Sequence, residues 1–287
     1  MLPRPIRTSS RFGEYSVVMP VARGGTGTVY LATSSLTNEK VALKVLDHQL
    51  AVYPELVARL DAEHAFASLA SHPALVDIRE ARRTSDDVPF LVMEYLDGET
   101  LAAIADREEL ELPMIVAIGA QVASALAALH AAGVIHCDVK HENVFVLDQR
   151  DAGWPRVKVI DFGVSRTVDE LPTEDAAIAG TPWCMAPEQW RGAPTLQSDV
   201  YALGCILYDL TTGTPPFEGS LPELMLAHLE QRPARPSWLR RMPIALERLI
   251  LRMLAKEPAA RPMMAEVASE LAALAEGEPV VELREAG

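Results

Sequence analysis

The chain has 287 residues, of which 26 are basic and 40 acidic, so its formal net charge is −14. Hydrophobic residues make up 49% of the chain and charged residues 23%, proportions typical of a folded globular protein. The acidic balance argues against nucleic acid or an anionic membrane as the main partner, because both require a basic face. Cys137, Cys184 and Cys205 form no CxxC pair, which disfavours a disulfide framework and a zinc finger and favours a cytoplasmic setting.

The first third of the chain is predicted to be rich in β-strands. The N-terminus is basic but lacks an apolar core, so no secretion signal is predicted. SVVMPVA, TVYLATS and VALKVL are β-branched runs typical of strands, and LVDIREA and PFLVMEYL are two further apolar runs. Between them a helix is predicted from about 53 to 70, because apolar residues recur there at spacings of three and four.

Helices dominate the rest of the chain, where only VFVL and VKVI resemble strands. Three prolines stand where a helix would begin, the position at which proline is best tolerated. A β-rich first part and an α-rich remainder predict an α+β fold with two lobes that meet in a hinge near residues 94–98. The helices are predicted at about 100–107, 113–132, 197–213, 221–230, 243–254 and 262–276.

The segment Leu112–Ile135 contains no Asp, Glu, Lys or Arg and is long enough to span a membrane. It nevertheless contains Gln121, Ser124 and His130, is rich in alanine, and has no Lys or Arg clustered at its ends. We therefore expect a helix that is buried inside a domain, and no membrane span.

The first sign of chemistry is the glycine-rich stretch ARGGTGTVY, which lies between two predicted strands. Such a hairpin lets backbone N–H groups approach phosphate oxygens, although most glycine-rich turns bind nothing. It does not match GxxxxGK[ST] and does not open a helix, so a P-loop and a dinucleotide fold are disfavoured. Lys44 on the next strand needs a counter-charge if it is buried, and Glu63 is its predicted partner unless that carboxylate faces solvent.

The stretch HCDVKHENV (136–144) has three interpretations: a metal site, a catalytic loop or a polar turn. As zinc ligands, His136, Cys137 and His141 lack a fourth ligand at plausible local spacing. The zinc interpretation is therefore disfavoured.

With IDFGVSR following that loop, the chain resembles the eukaryotic-type protein kinase domain, most of all its bacterial serine/threonine branch, over about residues 12 to 275. The motifs occur in the family's order, which makes them jointly specific. They are AxGxxGxV, VALK, Glu63 before HP, HxDxKxxN, DFG, GTPxxMAPE, SDVYALG and Arg261. The resemblance implies a two-lobed fold with an N-terminal extension at 1–11, an N-lobe at 12–96, a C-lobe at 97–276 and a short acidic tail at 277–287.

The resemblance also implies ATP and Mg²⁺, with Mn²⁺ as an alternative ion. Lys44, paired with Glu63, holds the α- and β-phosphates, while Asp161 and Asn143 bind the metal. Met93 stands at the back of the adenine pocket, and Glu94 and Leu96 offer backbone hydrogen bonds. The implied nucleotide-binding residues are Ala22, Gly24, Gly25, Gly27, Val29, Ala42, Lys44, Met93, Glu94 and Leu96.

For catalysis, the resemblance implies that Asp138 accepts the proton of the substrate hydroxyl. Lys140 offsets charge on the transferred phosphoryl group and is typical of serine/threonine specificity, and Thr181 contacts both side chains. Such sites act by positioning and electrostatic stabilisation.

Three residues depart from the family pattern. Ala22 replaces the first glycine of the loop, and His141 replaces the proline that usually follows the lysine. Cys137 replaces an arginine that in many members binds a phosphate on the activation segment. We therefore hypothesise that basal activity does not require phosphorylation of that segment, where Thr167 and Thr173 are the candidate sites. A buried, inert Cys137 is favoured over a reactive one.

The predicted function is a serine/threonine protein kinase that also autophosphorylates. The alternative is a pseudokinase or scaffold, for which the three departures argue. A small-molecule kinase of the aminoglycoside type is disfavoured because GTPxxMAPE and SDVYALG are present. The protein substrate is not predicted, and an activating partner, a homodimer and docking near residues 222–230 stay open, with no sensor domain expected after the kinase domain.

Overall fold

The fold was analysed in a computed structural model that describes residues 10–84, 86–151, 153–170 and 180–277. The chain forms two compact units. The first extends to Ser71 and adds Leu75–Asp97 and Asp161–Gly163, and the second comprises His72–Ala74, Gly98–Ile160 and the chain from Val164 onward.

The first unit contains a six-stranded antiparallel sheet and one helix. The strand order is β1-β2-β3-β4-β6-β5, and α1 packs against β5 and β6. Alternate residues of the strands, such as Leu43 and Val45, pack with Phe90 and Val92 in one hydrophobic core. The elements are β1 (Arg11–Phe12), β2 (Tyr15–Arg23), β3 (Gly27–Ser34), β4 (Lys40–Leu46), α1 (Pro54–Leu69), β5 (Ile78–Arg83) and β6 (Pro89–Glu94).

The second unit is mainly helical and carries two small sheets. Its strands are β7 (Gly98–Thr100), β8 (Val134–Ile135), β9 (Val144–Asp151), β10 (Trp154–Val159) and β11 (Arg166–Thr167). They pair in the order β10-β9-β7 and, separately, as β8 with β11. Its helices are α2 (Leu101–Ala105), α3 (Leu112–Ala131), α4 (Pro187–Trp190), α5 (Leu196–Thr212), α6 (Leu221–Glu230), α7 (Ile244–Met253) and α8 (Met264–Ala275).

Helix α3 is the central helix of the second unit and packs against α5, α8 and β10. A Cβ atom at Gly119 would lie 2.8 Å from a methyl group of Leu207 and 3.3 Å from one of Leu271, so glycine permits this close packing. Among the described residues α3 is the one helix long and apolar enough to cross a membrane, and 56% of its most apolar stretch is buried. The prediction of a buried core helix is thus confirmed.

The predicted fold class, α+β with a β-rich and a helical part, is confirmed. The sequence missed the shortest elements, namely β1, β7, the β8–β11 pair and the turn of helix α4, because two to four residues carry no periodicity. Helix α2 ends at Ala105 rather than at 107, as Asp106 and Arg107 form a turn after it. The predicted terminal segments at 1–11 and 277–287 lie almost entirely outside the described residues.

Candidate active site

In the first unit, Lys44 lies at the centre of an ionic cluster. β4 buries Leu43 and Val45 on one face of the sheet, so Lys44 between them points to the other face. Its Nζ donates to both carboxylate oxygens of Glu63, at 2.8 and 2.7 Å, and to Oδ1 of Asp161 at 2.9 Å. Burial alone would lower the pKa of Lys44, but attraction to Glu63 and Asp161 outweighs it and raises this pKa.

Asp161 adopts a left-handed backbone conformation, with φ at 68°. Non-glycine residues seldom occupy this region, and they do so mostly where surrounding contacts impose it. Phe162 is buried next to it, and the N–H of Gly163 donates to Oδ1 of Asp161 at 3.2 Å. The backbone thereby turns the Asp161 carboxylate, which is 46% exposed, away from the core that holds Phe162.

The predicted nucleotide-binding residues of this unit lie on four neighbouring strands, β2, β3, β4 and β6, except Gly24, Gly25 and Leu96, which lie outside them. Ala22 pairs with Val29 across the glycine-rich hairpin, Val29 pairs with Lys44, and Ala42 pairs with Met93. Glu94 ends β6 and Leu96 follows it.

Gly27 is the glycine of this hairpin for which steric need is clearest. A Cβ atom there would lie 2.1 Å from the carbonyl oxygen of Val45, so no larger residue fits. Gly24 closes the turn by donating its N–H to the Gly27 carbonyl at 2.9 Å, and Gly25 has open space around it. The Gly24 N–H is thus used within the turn, whereas no side chain or backbone crowds Gly25, where a phosphate oxygen could approach.

In the second unit, Asp138 is the centre of a hydrogen-bonded group that the sequence predicted. Thr181 Oγ1 donates to Asp138 Oδ1 at 2.7 Å, and Lys140 Nζ lies 2.7 Å from Oδ2. Lys140 also donates to Thr181 Oγ1 at 3.1 Å. Asn143 Nδ2 donates to the backbone carbonyl and to Oδ2 of Asp138, at 2.8 and 3.2 Å.

The Asn143 amide is oriented by these two bonds, since both use its nitrogen. Its carbonyl oxygen is therefore the end that suits a hard divalent cation, as is the carboxylate of Asp161. The donor chemistry of both residues fits a magnesium-type ion.

The zinc interpretation of HCDVKHENV finds no support. Nδ1 of His136 accepts from the N–H of Asp138 at 3.3 Å, and Nε2 lies 3.3 Å from the carbonyl of Ile160. Both ring nitrogens thus contact the backbone inside the core, where His136 is fully buried. Among the described residues, no group of three or more His, Cys, Asp or Glu side chains is arranged to hold a metal ion.

Asp199 of α5 holds the backbone that leads into Asp138, a role that the sequence analysis did not assign. Its two carboxylate oxygens accept from the N–H groups of His136 and Cys137, both at 2.9 Å, and one also contacts His130 Nε2 at 2.8 Å. Cys137 has a φ of 66°, and Gln189 donates to its carbonyl at 2.8 Å. A buried carboxylate needs hydrogen-bond donors, and two of the donors here are the backbone N–H groups of the strained turn at His136 and Cys137.

Cys137 itself is buried, and burial raises the pKa of its thiol well above the usual value. Its sulfur faces the Ile135 carbonyl at 3.7 Å. A protonated, inaccessible thiol is a poor nucleophile, which supports the inert interpretation.

Arg261 anchors the segment after Thr181 by binding Glu188 of α4. It pairs with Glu188 through two bonds of 2.6 and 2.9 Å. Its other N–H groups donate to the carbonyls of Ala255, Gln197 and Lys256 at 2.7 to 2.9 Å, so all five donors are satisfied although the side chain is 0% exposed. The sequence identifies Arg261 as a motif residue, but its hydrogen-bond partners are seen only in the folded structure.

The candidate phosphosites are only partly described. Thr167 lies on β11, where its N–H and hydroxyl both donate to a carboxylate oxygen of Glu170, at 3.3 and 3.4 Å. Thr173 lies outside the described residues.

Taken together, the antiparallel sheet with a buried Lys–Glu pair and the helical unit with an HxDxKxxN loop define a phosphotransferase-type catalytic domain. The family model of the protein kinase domain matches residues 15–271. This chain therefore belongs to the protein kinase domain family.

Bacterial kinases are among its relatives. Serine/threonine-protein kinase Pkn1 of Myxococcus xanthus is 40% identical over 253 residues, which are 86% of this chain and 36% of that protein. PknE of Mycobacterium tuberculosis is 37% identical over 256 residues, 88% of this chain and 44% of the relative. PknB of the same species is 36% identical over 267 residues, 89% and 42% of the two chains. This chain thus spans between a third and a half of the length of these relatives.

Proposed function

We propose that this chain is an active serine/threonine protein kinase domain, which transfers the γ-phosphate of ATP to protein hydroxyls and also phosphorylates itself. The observation that carries the proposal is the Asp138–Lys140–Thr181 group, in which Asp138 accepts a hydrogen bond from a hydroxyl and lies beside an ammonium. The relatives named as serine/threonine kinases support the same conclusion. Neither the described part of the structure nor the relatives add support for the scaffold alternative.

Asp138 is suited to orient a substrate hydroxyl. Its Oδ1 already accepts a hydrogen bond from the hydroxyl of Thr181 at 2.7 Å, and a serine or threonine of a substrate would donate in the same way. The Lys140 ammonium lies 2.7 Å from Asp138 Oδ2, where it can offset negative charge on the phosphoryl oxygens. General base catalysis of this kind contributes about 10²- to 10⁴-fold in rate.

Lys44 is suited to hold phosphate oxygens of ATP. Because Glu63 and Asp161 fix its Nζ, the ammonium is oriented before nucleotide arrives, which reduces the entropic cost of binding. Protein kinases use ATP together with a divalent metal. We propose Mg²⁺, with Mn²⁺ as an alternative, held by Asp161 and Asn143, where it would neutralise phosphate charge.

We further propose which residues bind the nucleotide, how the domain divides into lobes, and where the chain acts. The nucleotide is bound by Ala22, Gly24, Gly25, Gly27 and Val29 of the glycine-rich stretch, together with Ala42, Lys44, Met93, Glu94 and Leu96. The kinase domain divides into an N-lobe at 12–96 and a C-lobe at 97–276, and the chain acts in the cytoplasm. The net charge of −14 is compatible with a basic or neutral protein substrate and argues against nucleic acid as the main partner.

The test is transfer of labelled γ-phosphate from Mg-ATP to the protein and to a basic protein substrate. We expect transfer by the wild type and its loss in Asp138→Asn and Lys44→Met. Nucleotide binding should persist in Asp138→Asn, which provides the matched control for a folded protein. A wild-type chain that binds ATP but transfers no label to either acceptor would contradict the proposal.

A further inference from the structure

His141 and Trp183 join the two segments that carry the Asp138 group. His141 directly follows Lys140 and begins a 3₁₀ turn, His141–Asn143, while Trp183 lies in a second 3₁₀ turn, Pro182–Cys184, just after Thr181. Their rings stack with centroids 4.9 Å apart and planes inclined by 12°. This contact thus connects the chain next to Lys140 with the chain next to Thr181.

Two contacts fix the His141 ring, namely the stack on Trp183 and a hydrogen bond to the backbone of Ile206 on α5. The ring is buried, and its Nε2 has no hydrogen-bond partner within the described part of the chain, with Asp209 Oδ2 at 3.6 Å. Burial lowers the pKa of His141 to about 4, so the imidazole is neutral under physiological conditions. A neutral ring at this distance packs like an aromatic side chain against the indole.

Trp183 is also fixed on its backbone side. The imidazole of His228 on α6 is fully buried and interacts with the backbone of Trp183. His228 Nδ1 is in turn 2.9 Å from the hydroxyl of Tyr201, to which Lys256 Nζ donates at 3.3 Å. The turn that follows Thr181 is therefore held from one side by α6 and from the other by the His141 ring.

We propose that His141 and Trp183 are a positioning pair, which holds the Thr181 hydroxyl at Asp138 and Lys140 and so keeps the catalytic group assembled. The inference rests on the proposed kinase activity. Only Pro182 separates Trp183 from Thr181, whose Oγ1 lies 2.7 Å from Asp138 and 3.1 Å from Lys140. A shift of the indole would therefore displace Thr181, and misplacements of about 1 Å can cost about 10²-fold in rate.

This role also explains why histidine can stand where relatives of the family carry proline. Proline restricts the backbone after the lysine by its ring. Here the restriction comes from outside the backbone, through an aromatic contact to the Thr181 segment. The flat shape of the ring is what matters, rather than its ability to titrate.

The test compares His141→Ala, His141→Phe, Trp183→Ala and the double alanine variant in phosphate transfer to a fixed peptide. We expect each single alanine variant to lower kcat about ten- to a hundredfold with the KM for ATP nearly unchanged. The double variant should be no worse than the poorer single one, because both remove the same contact. His141→Phe should recover most of the lost kcat.

Matched controls are His48→Ala and Trp238→Ala, which remove the same side chains at exposed positions. Thermal unfolding of each variant separates a loss of positioning from a loss of fold. If His141→Ala does not fold, kcat is compared between His141→Phe and Trp183→Phe. Both variants keep two stacked rings, so both should retain most of the wild-type kcat. Multiplicative losses in the double variant, or no recovery with phenylalanine, would overturn the inference. An inactive wild type would instead contradict the proposed kinase function.

Discussion

The two groups of candidate catalytic residues are held in place by different means. Lys44, Glu63 and Asp161 are fixed by their own opposite charges, on a strand, a helix and a turn of the first unit. Asp138, by contrast, lies on a strained loop that depends on Asp199 and on the segment of Thr181. The first group is self-supporting, whereas the second relies on residues that perform no chemistry. Substitutions should therefore separate function from stability in the first unit and affect both in the second.

The largest effect is expected for Asp199→Asn. The amide offers one oxygen in place of two, so the N–H of His136 or of Cys137 loses its acceptor while both stay buried. Breaking such a buried charged network costs about 3–5 kcal/mol of unfolding free energy. Denaturant unfolding measures this loss, and phosphate transfer should fall with it because Cys137 directly precedes Asp138.

Asp209→Asn on the same helix is the control for that experiment. Its carboxyl is half-buried and burial raises its pKa to about 6, so neutralising it removes a desolvation cost. We expect a change below about 1 kcal/mol. Equal destabilisation by both variants would show that Asp199 has no special supporting role.

The double variant Lys44→Met, Glu63→Gln tests the self-supporting group. Lys44→Met alone leaves the Glu63 carboxylate, which is 2% exposed, without its ammonium. Neutralising both partners removes that unpaired charge, so the double variant should regain stability to within about 1 kcal/mol of the wild type. Phosphate transfer should stay absent. A double variant as unstable as Lys44→Met would contradict the expected division between function and stability.

The same contrast explains what the sequence could predict. Lys44 and Glu63 each stand in a short motif on one strand or one helix, and the structure pairs them as predicted. In the second unit Thr181 contacts Asp138 and Lys140, as the resemblance implies. The partners of Asp199 lie 62 to 69 residues away in the chain. No local pattern encodes such a contact, because it depends on how α5 packs.

Local patterns also failed where a residue's environment decides its role. The sequence marks His141 as a departure from the family pattern and offers no reason for it. Its partner Trp183 lies in another loop, and only the fold shows that their rings are parallel. In the same way Arg261 was found as a motif residue, but its pairing with Glu188 across 73 residues could not be derived.

A smaller effect is expected from pH. Burial lowers the pKa of His141 and of His228 from 6.5 to about 4, so between these values the unfolded chain binds protons that the folded chain does not. The stability that the neutral rings contribute is present above pH 6.5 and is lost as pH falls towards 4, by at most about 3 kcal/mol for each histidine.

His141→Phe isolates one of these two contributions while keeping the stack. The unfolding free energy of this variant should fall less steeply between pH 6.5 and 4 than that of the wild type. Asp209, whose pKa is raised to about 6, acts in the opposite direction but is present in both proteins. Parallel pH profiles would show that His141 titrates normally in the folded protein and would contradict its burial.

The smallest effect is expected at the activation segment. Cys137 stands where an arginine would bind a segment phosphate, and its buried, protonated thiol offers no positive charge. Since Asp199, Gln189 and Thr181 already hold the catalytic loop, a phosphate has little left to order. The variant with both Thr167→Ala and Thr173→Ala should therefore keep its initial rate on a peptide substrate to within about twofold.

Abolished activity in this variant, with unfolding unchanged, would mean that a phosphate on the segment supplies order which the unphosphorylated contacts do not. Cys137→Arg sharpens the contrast, because restoring the guanidinium should make activity respond to segment phosphorylation where the native chain does not.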